Sequence, residues 1–262
     1  MTEKFDFKKF VLSWTDKAEL KNVFWMIFAS YIINMIFGGG SLALLATIFT
    51  VYVGWKYVVN EIAVGALKGL KLKPTQIGIV DYIVVSIVSI IATFLPWWAG
   101  MYFIVQVIVF VAAIIAMMAF YPVGFLLFLA YILMLVHNGL RLNLMIPAYL
   151  IKKGAFAAAK TSWQLTERRL IDVIKYILKS IWYTIVKTWV FLLLPAAYIL
   201  AVAAIMASGM VHLITISDMA TIGSMLMIVG VIVNLSLSYS IAFGAITSQY
   251  ASAAMYSLFS KR

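Results

Sequence analysis

Residues 101–139 read MYFIVQVIVFVAAIIAMMAFYPVGFLLFLAYILMLVHNG, and only Gln106, His137 and Asn138 interrupt this hydrocarbon-compatible run. A helix needs about 20 apolar residues to cross roughly 30 Å of hydrocarbon. A stretch far longer than that, punctuated by Tyr121-Pro122, has no place in the core of a water-soluble domain. The rest of the chain is of the same kind. Hydrophobic residues make up 65% of its 262 residues and the mean hydropathy is +1.07, whereas soluble domains hold roughly half apolar residues. Lipid offers a backbone no hydrogen bonds, and a helix satisfies its own. The fold class is therefore all-α: a polytopic α-helical membrane protein with about six transmembrane helices and amphipathic interfacial linker helices.

Outward from that run, Leu20–Phe37, Ser41–Val59, Ile77–Leu95, Leu170–Ala207 and Ile222–Ala245 are further apolar segments. Gly38-Gly39-Gly40-Ser41 reverses the chain between the first two, and a polar turn occupies Ser208–Thr221. Phe5, Phe10, Val11, Trp14 and Leu20 stand among charges, so residues 1–20 read as an amphipathic cytoplasmic N-terminal helix on the membrane surface. Its acidic residues and the lack of a small-residue cleavage pattern argue that it is retained rather than removed as a signal peptide. Residues 21–262 then form a single integral membrane helical domain.

Charge sets the orientation. The 20 Lys and Arg fall into four groups: through Lys21, Lys56–Lys73, Arg141–Lys187, and Lys261-Arg262. None lies in 38–41, 96–121 or 208–221. The positive-inside rule puts both termini and both basic linkers in the cytoplasm, with the chain in the cell membrane. Between the linkers lie three apolar blocks, 77–96, 101–119 and 122–140, and an odd number of crossings would expel one linker. Either Pro122 merely kinks a long tilted helix, or part of 97–120 is re-entrant or interfacial.

The fifth segment carries Lys175, Lys179 and Lys187 in its first half. Each Lys at mid-membrane costs about 2.5–3.5 kcal/mol on insertion scales. This favours a half sunk in the interface leading into a span near Val190–Ala207, over one long helix with its lysines turned into the bundle. A weak internal repeat runs from Lys56 to Val80-Asp81-Tyr82 and from Arg141 to Ile171-Asp172-Val173. Gly230, Asn234, Ser238 and Ala242, with Ser240, Gly244, Ser248 and Ser252, form small-residue strips that predict close packing of the last helix.

The most specific stretch is Pro147–Arg169. Arg141, Pro147, Ala159, Ser162, Trp163, Leu165, Thr166 and Arg169, with Ala253, Tyr256, Leu258 and Arg262, resemble the membrane domain of glycerophosphoryl diester phosphodiesterases and related integral-membrane domains of unknown function. The resemblance implies a span ending at an Arg, then an amphipathic helix beneath the bundle. Glu167-Arg168 departs from it where a glycine is usual. The catalytic metal-binding residues of that family have no counterpart in this sequence, so its hydrolytic activity does not transfer.

Arg141, Lys152, Lys153, Lys160, Trp163, Arg168, Arg169, Lys175, Lys179 and Lys187 are the candidate lipid- or partner-binding residues. Cations at an anionic leaflet contribute about 1 kcal/mol each, and Trp163 suits a headgroup-level anchor. Ala148 and Ala155–Ala159 are small enough for close packing beneath the bundle. The candidate intramembrane polar residues are Asp81, best read as an ion-pair partner for Lys56, Arg141 or Lys175, and His137. Asn34, Gln106 and Asn234 read as interhelical hydrogen-bonding residues.

There is no cysteine, which excludes thiol chemistry. His137 and His212 fall on opposite sides of the expected membrane, so no metal site and no cofactor are expected. The net charge of +11 is accounted for by cytoplasmic loops, and no nucleic-acid partner is expected. No paired intramembrane carboxylates, phosphate loop or Ser–His pair points to an enzyme. The expectation is a non-enzymatic scaffold or an accessory, permease-like subunit in membrane transport. Its partners would be anionic lipid headgroups and a subunit of a membrane complex. The alternative is direct binding or transport of a lipid or amphipathic peptide, including self-protection against a membrane-active peptide. That alternative predicts a groove along the lysine side of the fifth segment.

Overall fold

A computed structural model describes residues 6–13, 19–37, 41–207 and 216–260. The glycine reversal at 38–40, Trp14, the Asn34 side chain, His212, most of the polar turn and Arg262 lie outside what is described. Every element within the described residues is helical: α1 (Phe7–Val11), α2 (Glu19–Phe37), and α3 (Ser41–Val53), which runs through a π-helical stretch, Gly54–Ala63, into α4 (Val64–Gly69). Then come α5 (Ile79–Phe94), a 3-10 turn at Trp97–Ala99, α6 (Met101–Ala119), α7 (Tyr121–Leu142), α8 (Met145–Lys152), α9 (Ala155–Thr166), α10 (Leu170–Ala207) and α11 (Ile216–Ser260).

Among the described residues, Met101–Ala119, Tyr121–Lys152, Leu170–Ala201 and Val229–Ser260 are long and apolar enough to cross a membrane. Leu20–Ala29 and Ile79–Phe94 are shorter apolar helices. The chain is an all-α, polytopic membrane protein.

Local chemistry sets the boundaries. Asp6 caps α1 by accepting the Lys9 N–H at 3.1 Å, and Phe7 and Val11 are its buried side. Asp81 and Asp172 each sit in the first turn of their helices, α5 and α10, where a carboxylate meets the positive end of the helix dipole. α8 and α9 are separated by Lys153 and Gly154, with φ of 53° and 90°. Lys153 stands with ψ of 154° in a region essentially reserved for glycine.

Pro122 does not kink a continuous helix. It occupies the first turn of α7, where its missing N–H costs nothing, and the chain doubles back so that α6 and α7 pack along each other. Gly124 permits the closest approach, since a Cβ there would collide with the Met117 backbone. Block 101–119 is thus a full-length helix, and the short block is α5, of 16 residues.

The chain divides into two compact units. One comprises 1–62 and 178–250. Within it α2 packs on α3, Phe24 meets Tyr239 at 6.2 Å between ring centroids, and Phe191 meets the same tyrosine at 4.3 Å. Ser180 and Thr188 of α10 are buried, and the space at Gly244 of α11 is bounded by the Thr184 methyl at 3.4 Å. The threonine hydroxyls bond back one turn, Thr184 to the Ser180 carbonyl at 3.1 Å and Thr188 to the Thr184 carbonyl at 2.8 Å.

The fifth segment is one continuous helix, and Lys179 and Lys187, like Lys175, are exposed rather than turned inward. The small-residue strips are buried at Ser238, Ser240, Ala242 and Ser252, while Ser248 is exposed.

The second unit comprises 63–177 and 251–262. In it α8 packs on α9, and α5 lies against α7, α8 and α9. The end of α11 is buried, with Ser252 donating to the Asn143 side-chain oxygen at 2.8 Å.

Candidate functional site: a helix-end staple beside exposed cations

α7 ends at Leu142, leaving carbonyls in its last turn without intrahelical partners. The Arg141 carbonyl accepts the Ser162 hydroxyl at 2.6 Å, and the Thr166 hydroxyl lies 3.3 Å from it while its one proton is shared with the nearer Ser162 and Trp163 carbonyls at 2.9 and 3.0 Å. The Ser162 oxygen in turn accepts the Leu144 N–H at 3.2 Å. Ser162 and Thr166 can do this together because residues four apart share one helix face. Both are fully buried. The Ser-Trp-x-Leu-Thr pattern is thus a staple that fixes α9 to the α7–α8 corner.

Trp163 completes it. The Arg141 guanidinium lies 4.7 Å from the centre of its ring, a cation–π contact. Trp163 is only 7% exposed, so its ring is packed inside the fold. The Arg141 Nε–H donates to His137 Nε2 at 3.1 Å, and His137 Nδ1 lies 2.9 Å from the Tyr102 oxygen. A guanidinium only donates, so the imidazole is neutral with its proton on Nδ1, given to Tyr102. The phenol then donates to the Met134 carbonyl at 3.4 Å.

Next to His137 on α7, Asn138 Nδ2 donates to the Thr93 carbonyl at 2.7 Å and to Gln106 Oε1 at 2.9 Å. Gln106 Nε2 donates to the Phe94 carbonyl at 2.8 Å. These two buried amides satisfy the carbonyls left open where α5 stops before Pro96.

Arg169 serves the other helix end. Its Nη1 donates to the Phe259 carbonyl at 3.2 Å and its guanidinium lies 5.0 Å from the Phe259 ring centre, capping the end of α11. Asp81 is exposed. Its carboxylate accepts the Gly78 N–H at 3.3 Å and lies beside the Tyr149 hydroxyl, so it is engaged at the start of its own helix.

Lys152, Lys153, Lys160, Arg168 and Lys175 are exposed, while the opposite side of α9, Ala155, Ala158 and Ala159, is buried with Ala148 of α8. The Thr75 N–H donates to the Leu150 carbonyl at 2.8 Å. That bond lays the linker carrying Lys71 and Lys73 beside the end of α8, where Lys152 and Lys153 stand.

The candidate residues thus divide. Arg141, Trp163, Arg169 and His137 are tied to groups named above, while Lys152, Lys153, Lys160, Arg168, Lys175, Lys179 and Lys187 are exposed. The sequence reading missed Tyr102, Asn138 and Asn143 as structural polar groups. The available signal was that a polar side chain in an apolar run needs an internal partner. Among the described residues no group of three or more His, Asp or Glu side chains gathers as a metal site.

The helices and their polar clamps define the class stated above, an α-helical polytopic membrane protein. No family model, curated protein or solved structure matches the chain.

Proposed function

We propose that the protein is a non-enzymatic membrane scaffold or accessory subunit of a transport assembly. It sits in the cell membrane with both termini and both basic linkers cytoplasmic, and it offers its exposed cations to an acidic surface of a partner. One observation carries the reading. The Thr75–Leu150 backbone bond joins two basic linkers distant in sequence, and α9 is stapled so that its outward lysine is held on a fixed support. Rigid presentation lowers the ordering cost of binding.

Native purification in mild detergent, followed by protein and lipid mass spectrometry, tests it. A stoichiometric partner lost on combined reversal of Lys152, Lys153, Lys160 and Arg168 supports the proposal. A monomer without a partner, indifferent to those reversals, overturns it.

Direct handling of a lipid or amphipathic peptide is the second reading. It rests on a cleft of about 270 Å³ lined by Arg169, Asp172, Tyr176, Leu258 and Phe259, and not on the groove expected beside Lys175, Lys179 and Lys187, none of which lines it. A phospholipid retained through purification and displaced by Tyr176→Ala would favour it over the scaffold.

A further inference from the structure

Beyond Asp81 in its first turn, α5 is apolar apart from Ser86, Ser89 and Thr93, and the Ser86 and Thr93 hydroxyls bond back to carbonyls of the same helix. Val85, Val88 and Ala92 are buried, on the helix that packs on α7 and α9. Away from them, Val80, Ile83, Ile87, Ile90 and Phe94 are 69%, 40%, 50%, 61% and 48% exposed, at spacings of three and four residues that draw one stripe along the helix. A helix of this composition belongs in hydrocarbon. Yet its 16 residues span about 24 Å at 1.5 Å per residue, short of a hydrocarbon core of roughly 30 Å.

Both of its ends come to the same place. Before the first turn, Thr75 is bonded to Leu150 of α8, and Asp81 lies beside Tyr149. After the last turn, Trp97 meets Phe156 of α9 at 5.4 Å and Trp98 meets Trp163 at 6.3 Å between ring centroids. α8 and α9 have 8 and 12 residues, too short to cross a bilayer. A crossing α5 would carry Trp97 and Trp98 to the far side, away from both.

We infer that α5 does not cross the membrane. It lies within the leaflet nearest the basic linkers, with its exposed stripe against the acyl chains of that leaflet. No charged side chain lies between Asp81 and Arg141, so from the second turn of α5 to the last turn of α7 no charge draws the chain into water. The stripe continues the apolar exposure of the crossing hairpin, where Ile108 is 60% and Leu133 69% exposed. Acyl chains are therefore the occupant. The even number of crossings between the two linkers follows, because α6 and α7 cross and α5 does not.

The chain has no native cysteine, so single cysteines report cleanly. Lys73→Cys, Leu95→Cys, Ile87→Cys and Phe120→Cys are placed in the full chain in sealed, oriented vesicles and treated with a membrane-impermeant maleimide. Gln76→Cys and Met101→Cys replace the first two should either fail to accumulate. Positions 73 and 95 are expected to label from one side, 120 only from the other, and 87 only after solubilisation.

Labelling of 95 together with 120 and opposite to 73 would mean that α5 crosses and would overturn the inference. Ready aqueous labelling of 87 in sealed vesicles would overturn it differently, by placing α5 in water as a surface for a protein. Neither result depends on whether a partner subunit is found.

Discussion

Replacing Ser162 with alanine removes one oxygen that serves two backbone groups. The Arg141 carbonyl loses its 2.6 Å donor, and the Thr166 hydroxyl at 3.3 Å can replace it only by turning from the nearer Ser162 and Trp163 carbonyls. The Leu144 N–H loses its acceptor at 3.2 Å, and Leu144 and Ser162 are both fully buried. An unsatisfied buried group costs about 1–3 kcal/mol and a neutral hydrogen bond about 1 kcal/mol. The expected destabilisation is about 2 kcal/mol. For a protein of this size that is a fall in Tm of about 4–8 °C, measurable by thermal unfolding in detergent.

Thr166→Val alone should cost about 1 kcal/mol or less, because Ser162 still serves the carbonyl. The double variant should cost more than the two singles together, since the Arg141 carbonyl then has neither donor. The coupling from the double-mutant cycle reads this directly. Additive effects, or a Ser162→Ala variant within about 0.3 kcal/mol of the parent, the usual scatter between independent sites, would show that the staple does not hold the corner.

Gly124→Ala should lower Tm, because the new Cβ meets the Met117 backbone and overpacking costs about 1–3 kcal/mol; an unchanged melt would place the hairpin contact elsewhere. Lys153→Gly should raise stability by about 1 kcal/mol or more by relieving its unfavourable backbone conformation, and a fall in Tm would contradict the assigned α8–α9 turn. Reversal of Lys152 or Lys160 should change stability by no more than about 0.5 kcal/mol. Arg169→Glu should destabilise clearly, since it removes the donor to the Phe259 carbonyl; equal effects would erase the distinction between outward cations and helix-end clamps. Asn138→Leu strips the Thr93 carbonyl and Gln106 of partners, so faster hydrogen exchange is expected at the end of α5, with α11 unchanged.

The apolar runs and the grouped cations determined by themselves that the chain is helical and polytopic. Hydropathy and charge act residue by residue against lipid and water and need no knowledge of contacts. The same local logic placed the break at Tyr121-Pro122 and the small, buried side of α9. Which of three apolar blocks is short of a crossing was not legible, because α5 is as apolar as its neighbours. Only its end contacts, at Leu150 and at Phe156 and Trp163, distinguish it. The fate of the cations was hidden for the same reason. Arg169 and Arg168 are neighbours in sequence, but one meets a carbonyl 90 residues away while the other is exposed. A side chain's charge is written in the sequence; the partner that takes up its hydrogen bonds arrives only when distant helix ends are brought together.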